Sequence, residues 1–536
     1  AASDVYKRQN ERLAAHGFCQ ELAAYISDLN GRNLTPQNGK MIKQRPGGTG
    51  RVRMHAGAID FILLYGLSRL LGSTSGECCG ASCGMRAVNP RRLDMTSTNS
   101  THDSSDAPLS GRYFLLLQGP QSHFFRQLSE GLKKEGARVD KVNFCGGDRM
   151  LWGLGRKALD YTGTLYEWPE WIGRYYREEG VTDICLYGDW RPLHWEAVRL
   201  AYVRGIRVWV FEEGYLRAGF STLEENGVNG RSSLPVNPQD IREMAVGLPD
   251  PKAVTVENDI RDKVYKAILH HVGNVCFWPK FHHYRTHRPT NIFFELLGIL
   301  PRYLTRKKRG ERSLKALEVF NASNDPYFFY PLQLVSDSQV QLYSPYVRVQ
   351  EAIADVLTSF ALHAHHKMRL LIKNHPLDNG LIDYGEFIKG FAEELGIADR
   401  VTYVENGSTA DMIAGSRGVV LINSTVGLMA LDQNKPVYCM GRSVYNIEGL
   451  TQSLPTTPLD MFWRAPKAPN QPLYRAFKRI LYSQALIHGN FYSPQGIELA
   501  VKASIERFEH STVRLKPKHR QIILRPRDDY PRRVKP

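Results

Sequence analysis

The chain has 536 residues, of which 42% are hydrophobic and 23% charged; this is the composition of a globular protein with room for two or three domains. Its formal net charge of +16 is not ordinary and selects an anionic partner, whether nucleic acid, acidic lipid or an acidic substrate. No apolar run approaches the roughly 20 residues of a spanning helix, because the closest, AIDFILLYGLSRLLG at 58–72, contains Asp60 and Arg69.

Residues 1–109 lack sustained periodicity and close on MTSTNSTHDSSDAPLSG, a linker by composition. This region is expected to be poorly ordered or extraneous to the functional unit. No charged start, apolar core and cleavage site marks a secretory signal. The eight cysteines form no disulfide framework. Cys145, Cys185, Cys276 and Cys439 read as reduced packing residues, and Cys78, Cys79 and Cys83 lack a second half at zinc-ligand spacing. A cytosolic protein without a metal is the expectation.

From 110 to 235 strands and helices alternate, the signature of a doubly wound parallel sheet. RYFLLLQGP is a strand ending in a turn, FFRQLSEGLKKEGA a helix, and RVDKVNF a strand running into Cys145-Gly146-Gly147-Asp148-Arg149. DICLYGDWRPLH is strand then loop, HWEAVRLAYVRG helix, and IRVWVFEEG strand again. That last run stops abruptly at Glu212 and Glu213, followed by Gly214, Tyr215 and Arg217. Acid, glycine and arginine past a strand's carboxyl end sit where open α/β sheets keep ligands.

Residues 236–316 break the pattern with FWPKFHHYRTHRP and LPRYLTRKKRGER, dense in bases and aromatics. A solvated face, a nucleic-acid groove and a lipid-facing surface all fit such a helical linker. Nucleic acid leaves the clustered carboxylates unexplained, whereas Trp278, Phe281, Tyr284, Phe293 and Phe294 among Lys and Arg suit an interface with anionic lipid. Alternation resumes over 317–460 as a second Rossmann-like domain, so one cleft between two such domains is expected. Residues 461–512 read as helices and 513–536 as a basic disordered tail.

Two loops of the second domain suit an anion. Lys373-Asn374-His375-Pro376-Leu377-Asp378 puts a cation beside a stiffened turn, and Asn423-Ser424-Thr425-Val426-Gly427 offers hydroxyls and free N–H groups at a helix start, which an ordinary Ser/Thr cap also explains. Four loops of the first domain, the first of them Gln118-Gly119-Pro120, would gather Asp148, Arg149, Asp189, Arg191, His194, Glu212, Glu213 and Arg217 at one sheet edge, for a polar ligand and carboxylate chemistry. None is a Walker or dinucleotide fingerprint, which argues against ATPase and NAD-dependent readings.

The ordered motifs YFLLLQGP, NFCGGDR, GDWRPLH, FEEGYLR, TLEENGVN, SSLP, KNHPLD, INSTVGL and YNIEGLT, spanning roughly Arg112 to Tyr492, closely resemble the KpsS/LipB family of capsule polysaccharide biosynthesis proteins of Gram-negative bacteria. The resemblance implies a GT-B-like α/β architecture, two Rossmann-like domains facing a central cleft. It also implies a retaining β-Kdo transferase, cytoplasmic and peripheral on the inner face of the inner membrane. CMP-β-Kdo would be the donor, an anionic (lyso)phosphatidylglycerol the acceptor, and other capsule biosynthesis and export proteins the partners, with no cofactor and no nucleic acid.

Residue by residue, the resemblance implies that Lys373, His375, Pro376, Asp378, Asn423, Ser424, Thr425 and Gly427 hold the cytidine monophosphate. Glu213 becomes the candidate nucleophile, Glu212 its neighbour and Asp189 the competing carboxylate. Arg191 and Arg217 would bind the Kdo carboxylate, His194 would assist the acceptor hydroxyl, and Gln118, Asp148, Arg149 and Asn229 would line the substrate site. Ala218 stands where the family usually has Pro, and Asn374 where His is frequent. The contrasting expectation is a non-catalytic capsule assembly or export factor that keeps a nucleotide-sugar fold.

Overall fold

The computed structural model describes residues 107–216, 219–251, 256, 260–286, 292–334 and 337–511, all within one compact unit of residues 99–536. The readings for 1–106, for the cysteine cluster at 78–83, for Arg217 and Ala218, and for the tail 513–536 lie outside the described residues.

The first half runs β1 (Tyr113–Leu116), α1 (Phe124–Lys134), β2 (Arg138–Asn143), α2 (Gly146–Trp152), β3 (Leu159–Asp160), α3 (Trp168–Glu179), β4 (Asp183–Tyr187), α4 (Pro192–Arg204), β5 (Arg207–Glu213) and β6 (Phe220–Glu225). Central strands of a parallel sheet are covered on both faces and are apolar throughout, as β1 and the Val208–Phe211 core of β5 are. Helix α4 opens with Pro192 at its first turn and closes on Gly205 at φ 72°, the expected asymmetry of helix ends. GDWRPLH is therefore not all loop, since Pro192, Leu193 and His194 already belong to α4.

The chain then crosses through α5 (Pro238–Met244), α6 (Ile260–Cys276) and α7 (Ile292–Ala322). These do not form one free linker. Helix α6 lies against α2 so closely that a Cβ on Gly146 would stand 2.0 Å from the Gly273 carbonyl. Helix α7 runs past the expected boundary at 316 and joins the second half, where Arg302 and Arg309 meet Glu405 beyond a strand end.

The second half comprises β7 (Tyr327–Pro331), α8 (Ser338–Tyr343), α9 (Val349–His363), β8 (Arg369–Lys373), α10 (Tyr384–Glu394), β9 (Val401–Val404), α11 (Thr409–Gly415), β10 (Gly418–Leu421), α12 (Val426–Asp432), β11 (Val437–Cys439) and β12 (Gln452–Ser453). After α13 (Leu459–Phe462) and α14 (Gln471–Ile480), the chain returns to the first half as β13 (Leu486–His488) and α15 (Pro494–His510).

The sheet orders are β13-β6-β5-β4-β1-β2-β3 and β12-β11-β10-β7-β8-β9. Each contains the doubly wound order 3-2-1-4-5-6, so the two Rossmann-like, GT-B-like halves are present. Two strands depart from the expectation. β6 turns back antiparallel to β5, pairing Glu212 with Thr222 and Glu213 with Ser221. β13 adds antiparallel to β6, where only helices were expected. Each sheet is covered on both faces by apolar clusters, and one cluster of the second half also takes in Tyr215, Phe220 and Leu234 of the first. Cys145, Cys185 and Cys439 are buried free thiols, whereas Cys276 is exposed and is not a packing residue.

Candidate active site

Ligands of doubly wound sheets enter beyond the carboxyl ends of the strands flanking the reversal of strand order. Those strands are β1 and β4 in the first half and β7 and β10 in the second.

Beyond β1 and β4 stand Gln118 and Arg191. Arg191 Nη1 donates to Gln118 Oε1 at 2.6 Å, which turns Gln118 Nε2 onto both oxygens of Asp148 at 3.0 and 3.1 Å. Asp148 also receives the Phe144 amide at 3.0 Å. Among the described residues, Arg191 Nε and His194 Nε2 are buried without a hydrogen-bond partner. His194 Nδ1 lies 2.7 Å from the Gly188 carbonyl, so the ring proton sits on Nδ1 and Nε2 is a bare acceptor. Desolvation, then the charge of Arg191, holds this imidazole well below its usual pKa and keeps it neutral.

Glu212 and Glu213 are the last residues of β5 rather than the start of a loop. The turn after β4 needs Gly188 at φ 69°, and a Cβ there would lie 3.5 Å from Glu212 Oε2. The two acids have different surroundings. Glu213 Oε1 accepts from Tyr492 Oη at 2.8 Å and from Tyr187 Oη at 3.5 Å, and pairs with Lys263 Nζ at 3.1 Å. Glu212 is pushed up to about 7, chiefly because the protein desolvates it and further because Glu213 is near; the Glu213 amide, the Tyr187 hydroxyl and Arg191 act against the rise. One carboxylate is thus held in an ion pair, and the other can exchange a proton near neutral pH.

Asp189 is placed differently. It is 1% exposed, paired with Arg231 at 3.3 Å and reached by Tyr343 Oη of the second half at 3.5 Å. Burial raises its pKa and Arg231 opposes the rise. This is a pin between the halves, with Tyr343 seated so tightly that a Cβ on Gly230 would stand 2.3 Å from its ring. Arg149 faces away, towards Asp160 at 3.4 Å and the Leu154 carbonyl at 3.2 Å. Asn229 sits at φ 57° and gives its backbone N–H to Tyr215 Oη at 2.6 Å.

In the second half Lys373 is buried at the end of β8, with Nζ 3.5 Å from the Asn374 carbonyl, and burial lowers its pKa. His375 Nδ1 accepts the Leu377 amide at 3.1 Å, which closes the turn around Pro376. Asp378 accepts from Asn374 Nδ2 at 3.1 Å and pairs with Arg302 at 3.1 Å, so a helix from the expected linker braces this loop. Ser424 Oγ accepts the Val426 amide at 3.3 Å, and Thr425 starts α12 without a side-chain cap bond. Asn423 is fully engaged: it exchanges bonds of 2.9 and 3.0 Å with Gln333 and donates to the Gln339 carbonyl at 2.8 Å. Gly427 is required by packing, since a Cβ there would meet Tyr445 Oη at 2.3 Å.

Cys145, Asp148 and His270 bring three ligand-type atoms within 4.8 Å of one another. Their bonding suits a closed polar cluster. Asn274 Oδ1 accepts the Gly147 amide at 2.7 Å, so its Nδ2 faces His270 Nδ1 at 3.4 Å and the ring proton belongs on Nε2. Nε2 in turn lies 3.7 Å from Cys145 Sγ, a thiol that burial pushes far up.

The residues around Glu213 that sequence reasoning missed are Lys263, Tyr187 and Tyr492. Gln333, Tyr343 and Arg302 were missed at the second half. Only Tyr492 carried a local signal, in the turn Asn490–Ser493, where Asn490 Oδ1 accepts the next backbone amides.

The family profile described as "Capsule polysaccharide biosynthesis protein" matches residues 182–492. The capsule polysaccharide export protein KpsS of Escherichia coli is 34% identical over 385 residues, covering 72% of this chain and 98% of the relative. The capsule polysaccharide modification protein LipB of Neisseria meningitidis serogroup B is 33% identical over 393 residues, covering 72% of this chain and 92% of the relative. Among solved structures, the β-Kdo 2,7 transferase KpsC of Thermosulfurimonas dismutans is similar with a TM-score of 0.37 and 14% identity, over 73% of this chain and 99% of that one.

Proposed function

The chain belongs to the capsule polysaccharide biosynthesis protein family, and from that premise we propose that it is a retaining glycosyltransferase. It moves Kdo from CMP-β-Kdo to an anionic phospholipid acceptor of the (lyso)phosphatidylglycerol type, at the inner face of the inner membrane. The observation that carries the reading is the pair at the end of β5, one carboxylate ion-paired and one poised near pH 7.

In the proposed reaction the Glu213 carboxylate attacks the anomeric carbon of Kdo. The bond to the phosphate oxygen breaks, CMP leaves, and a glycosyl ester forms. Tyr187, Tyr492 and Lys263 hold the Glu213 carboxylate in one orientation before the attack. The acceptor hydroxyl then attacks the same carbon from the vacated face, Glu212 takes its proton, and Glu213 is released. Two inversions give net retention. Arg191, with an unpartnered buried Nε, is the candidate for the Kdo carboxylate, held in place by Gln118 and Asp148. Lys373, His375, Ser424 and Thr425 would receive the cytidine monophosphate. His194, neutral and buried, would accept a bond from a sugar hydroxyl through Nε2 rather than shuttle protons. No metal is assigned a role.

The test is direct transfer. Purified protein with CMP-Kdo generated in situ and a water-soluble lysophosphatidylglycerol analogue should give a Kdo-lipid product, read by mass spectrometry. Absence of product beside an active relative would favour the non-catalytic assembly or export factor.

A further inference from the structure

Helix α6 has two faces of opposite character. One face is sunk into the first half: Lys266, His270 and Gly273 are buried, and Lys266 Nζ donates to the Tyr492 carbonyl. The opposite face, by the spacing 264, 268, 272 and 275, is apolar, with Val264, Val272 and Val275 exposed and Ile268 half-buried. Tyr265 is 62% exposed, Val275 74%, and Trp278 just beyond the helix end 65%, with Val264 and Val272 between them. The outward face of a surface helix ordinarily carries charge, and contiguous apolar exposure marks a contact surface.

Bases frame this stripe. Between residues 260 and 286 there are five Lys or Arg and one acid, Asp262. Lys263 lies at the amino-terminal end, paired with Glu213; at the other lie Lys280, paired with Asp160 at 2.5 Å, His283, whose Nδ1 is 3.0 Å from the Thr162 carbonyl, and His282 and Arg285, all exposed. Arg285 rests on the carbonyls of His282 and Tyr284.

We infer that this face of α6 is where the protein docks on a bilayer surface bearing anionic headgroups. The aliphatic and indole groups enter the boundary of the acyl region, and the flanking bases meet the phosphates. A second copy of the chain would set these bases against themselves, so charge complementarity selects the anionic surface. The inference rests on the proposed lipid acceptor and adds its approach: Lys263, at one end of the stripe, touches Glu213 at 3.1 Å. A headgroup at that surface therefore lies beside the candidate nucleophile.

The full chain and its Val275→Asp/Trp278→Asp variant would be sedimented with vesicles of phosphatidylcholine alone and of phosphatidylcholine with phosphatidylglycerol. Wild type should bind the anionic vesicles about tenfold or more tightly than the neutral ones, in a salt-sensitive way, and the variant should lose at least about tenfold. The variant should keep the wild-type unfolding transition and the transfer rate to a water-soluble acceptor. Wild type that ignores vesicles, or a variant that binds them equally, overturns the docking face. So does a variant whose mass in lipid-free solution falls by half, because a second copy then covers the stripe. Intact vesicle binding with no transfer to any acceptor sinks the transferase reading and leaves the docking face standing.

Discussion

The two halves share a strand order and differ in what they leave unsatisfied where that order reverses. Beyond β7 and β10, Gln333 and Asn423 exchange two hydrogen bonds, and the remaining Asn423 amide hydrogens face the Gln339 and Tyr343 carbonyls. Beyond β1 and β4, Gln118 bridges Arg191 and Asp148, but Arg191 Nε and His194 Nε2 are left buried and unpartnered. A buried polar atom without a partner costs about 1–3 kcal/mol. The second half has such atoms too, Tyr330 Oη, Gln350 Oε1 and Tyr384 Oη, but Arg191 Nε and His194 Nε2 both lie just beyond β4 at the strand reversal, where a bound ligand would repay the cost. The second half keeps this closed pair at its reversal, and the groups proposed to receive the anion, Lys373, His375, Ser424 and Thr425, are at its strand ends and on the loops that follow.

The largest expected effect separates the carboxylates. Glu213→Gln should lower kcat by about 1000-fold or more, the loss typical of a removed nucleophile, while CMP binding measured by calorimetry stays near wild type. Asp189→Asn should act on stability instead. It breaks the pair with buried Arg231 and should cost about 3–5 kcal/mol in urea unfolding. The reverse pattern, a stable but dead Asp189→Asn beside an active Glu213→Gln, would transfer the nucleophile to Asp189.

The next effect tests the contrast between halves. Arg191→Gln should reduce kcat/KM by about 100-fold, as for a lost charge-assisted contact in a desolvated site, with an unchanged unfolding midpoint. Asn423→Ala should cost about 1–3 kcal/mol of stability by orphaning Gln333, with less than tenfold change in kcat/KM. Silence at Arg191 together with a kinetically dead, fully stable Asn423→Ala would invert the comparison.

How much of this was legible in the sequence follows from the range of the interactions. The alternation of β4, α4 and β5 was readable because parallel strands buried on both faces are written as apolar runs such as VWVF. The strand β6 was not readable, because Phe220 and Leu223 are its only large apolar residues and its acids are buried through hydrogen bonds: Glu224 Oε1 takes the Tyr215 hydroxyl at 2.6 Å, and Ser232 Oγ donates to the other oxygen. β13 was hidden for another reason, since it pairs with Ser221 and Thr222 from far along the chain. The acids Glu212 and Glu213 could be picked out as a pair by their place at a strand end, and only the family resemblance gave them different roles. What separates them arrives from Lys263, 50 residues away, and Tyr492, 279 residues away, and no local pattern encodes such distances.

A third prediction concerns proton exchange at the first half. If Glu212 is the base of the second step, its ionised form must accumulate, so kcat should rise with pH through an apparent pKa near 7, the value to which desolvation raises it. Glu212→Gln should remove that limb from a stopped-assay profile between pH 5.5 and 8.5, a range chosen to bracket the pKa. An unchanged limb in the variant would assign the proton to another group.

The smallest effect isolates structure from chemistry in the same hairpin. Glu224 is buried and pushed up to about 7, mainly by desolvation, with the Ser232 and Tyr215 hydroxyls and Arg507 opposing. Unfolded, it would ionise near the ordinary 4.5. Its folded pKa is raised, so the stability it contributes is complete below the unfolded value and is lost as pH climbs towards 7. At about 1.4 kcal/mol per unit the loss is at most about 3 kcal/mol, which for a unit of this size lowers Tm by only about 3 °C. Glu224→Gln should flatten the slope of Tm against pH between 5 and 7 and leave the kinetic limb assigned to Glu212 intact. Loss of that kinetic limb in Glu224→Gln would couple the two acids, and the hairpin's buried network would then be part of the proton path rather than a brace beneath it.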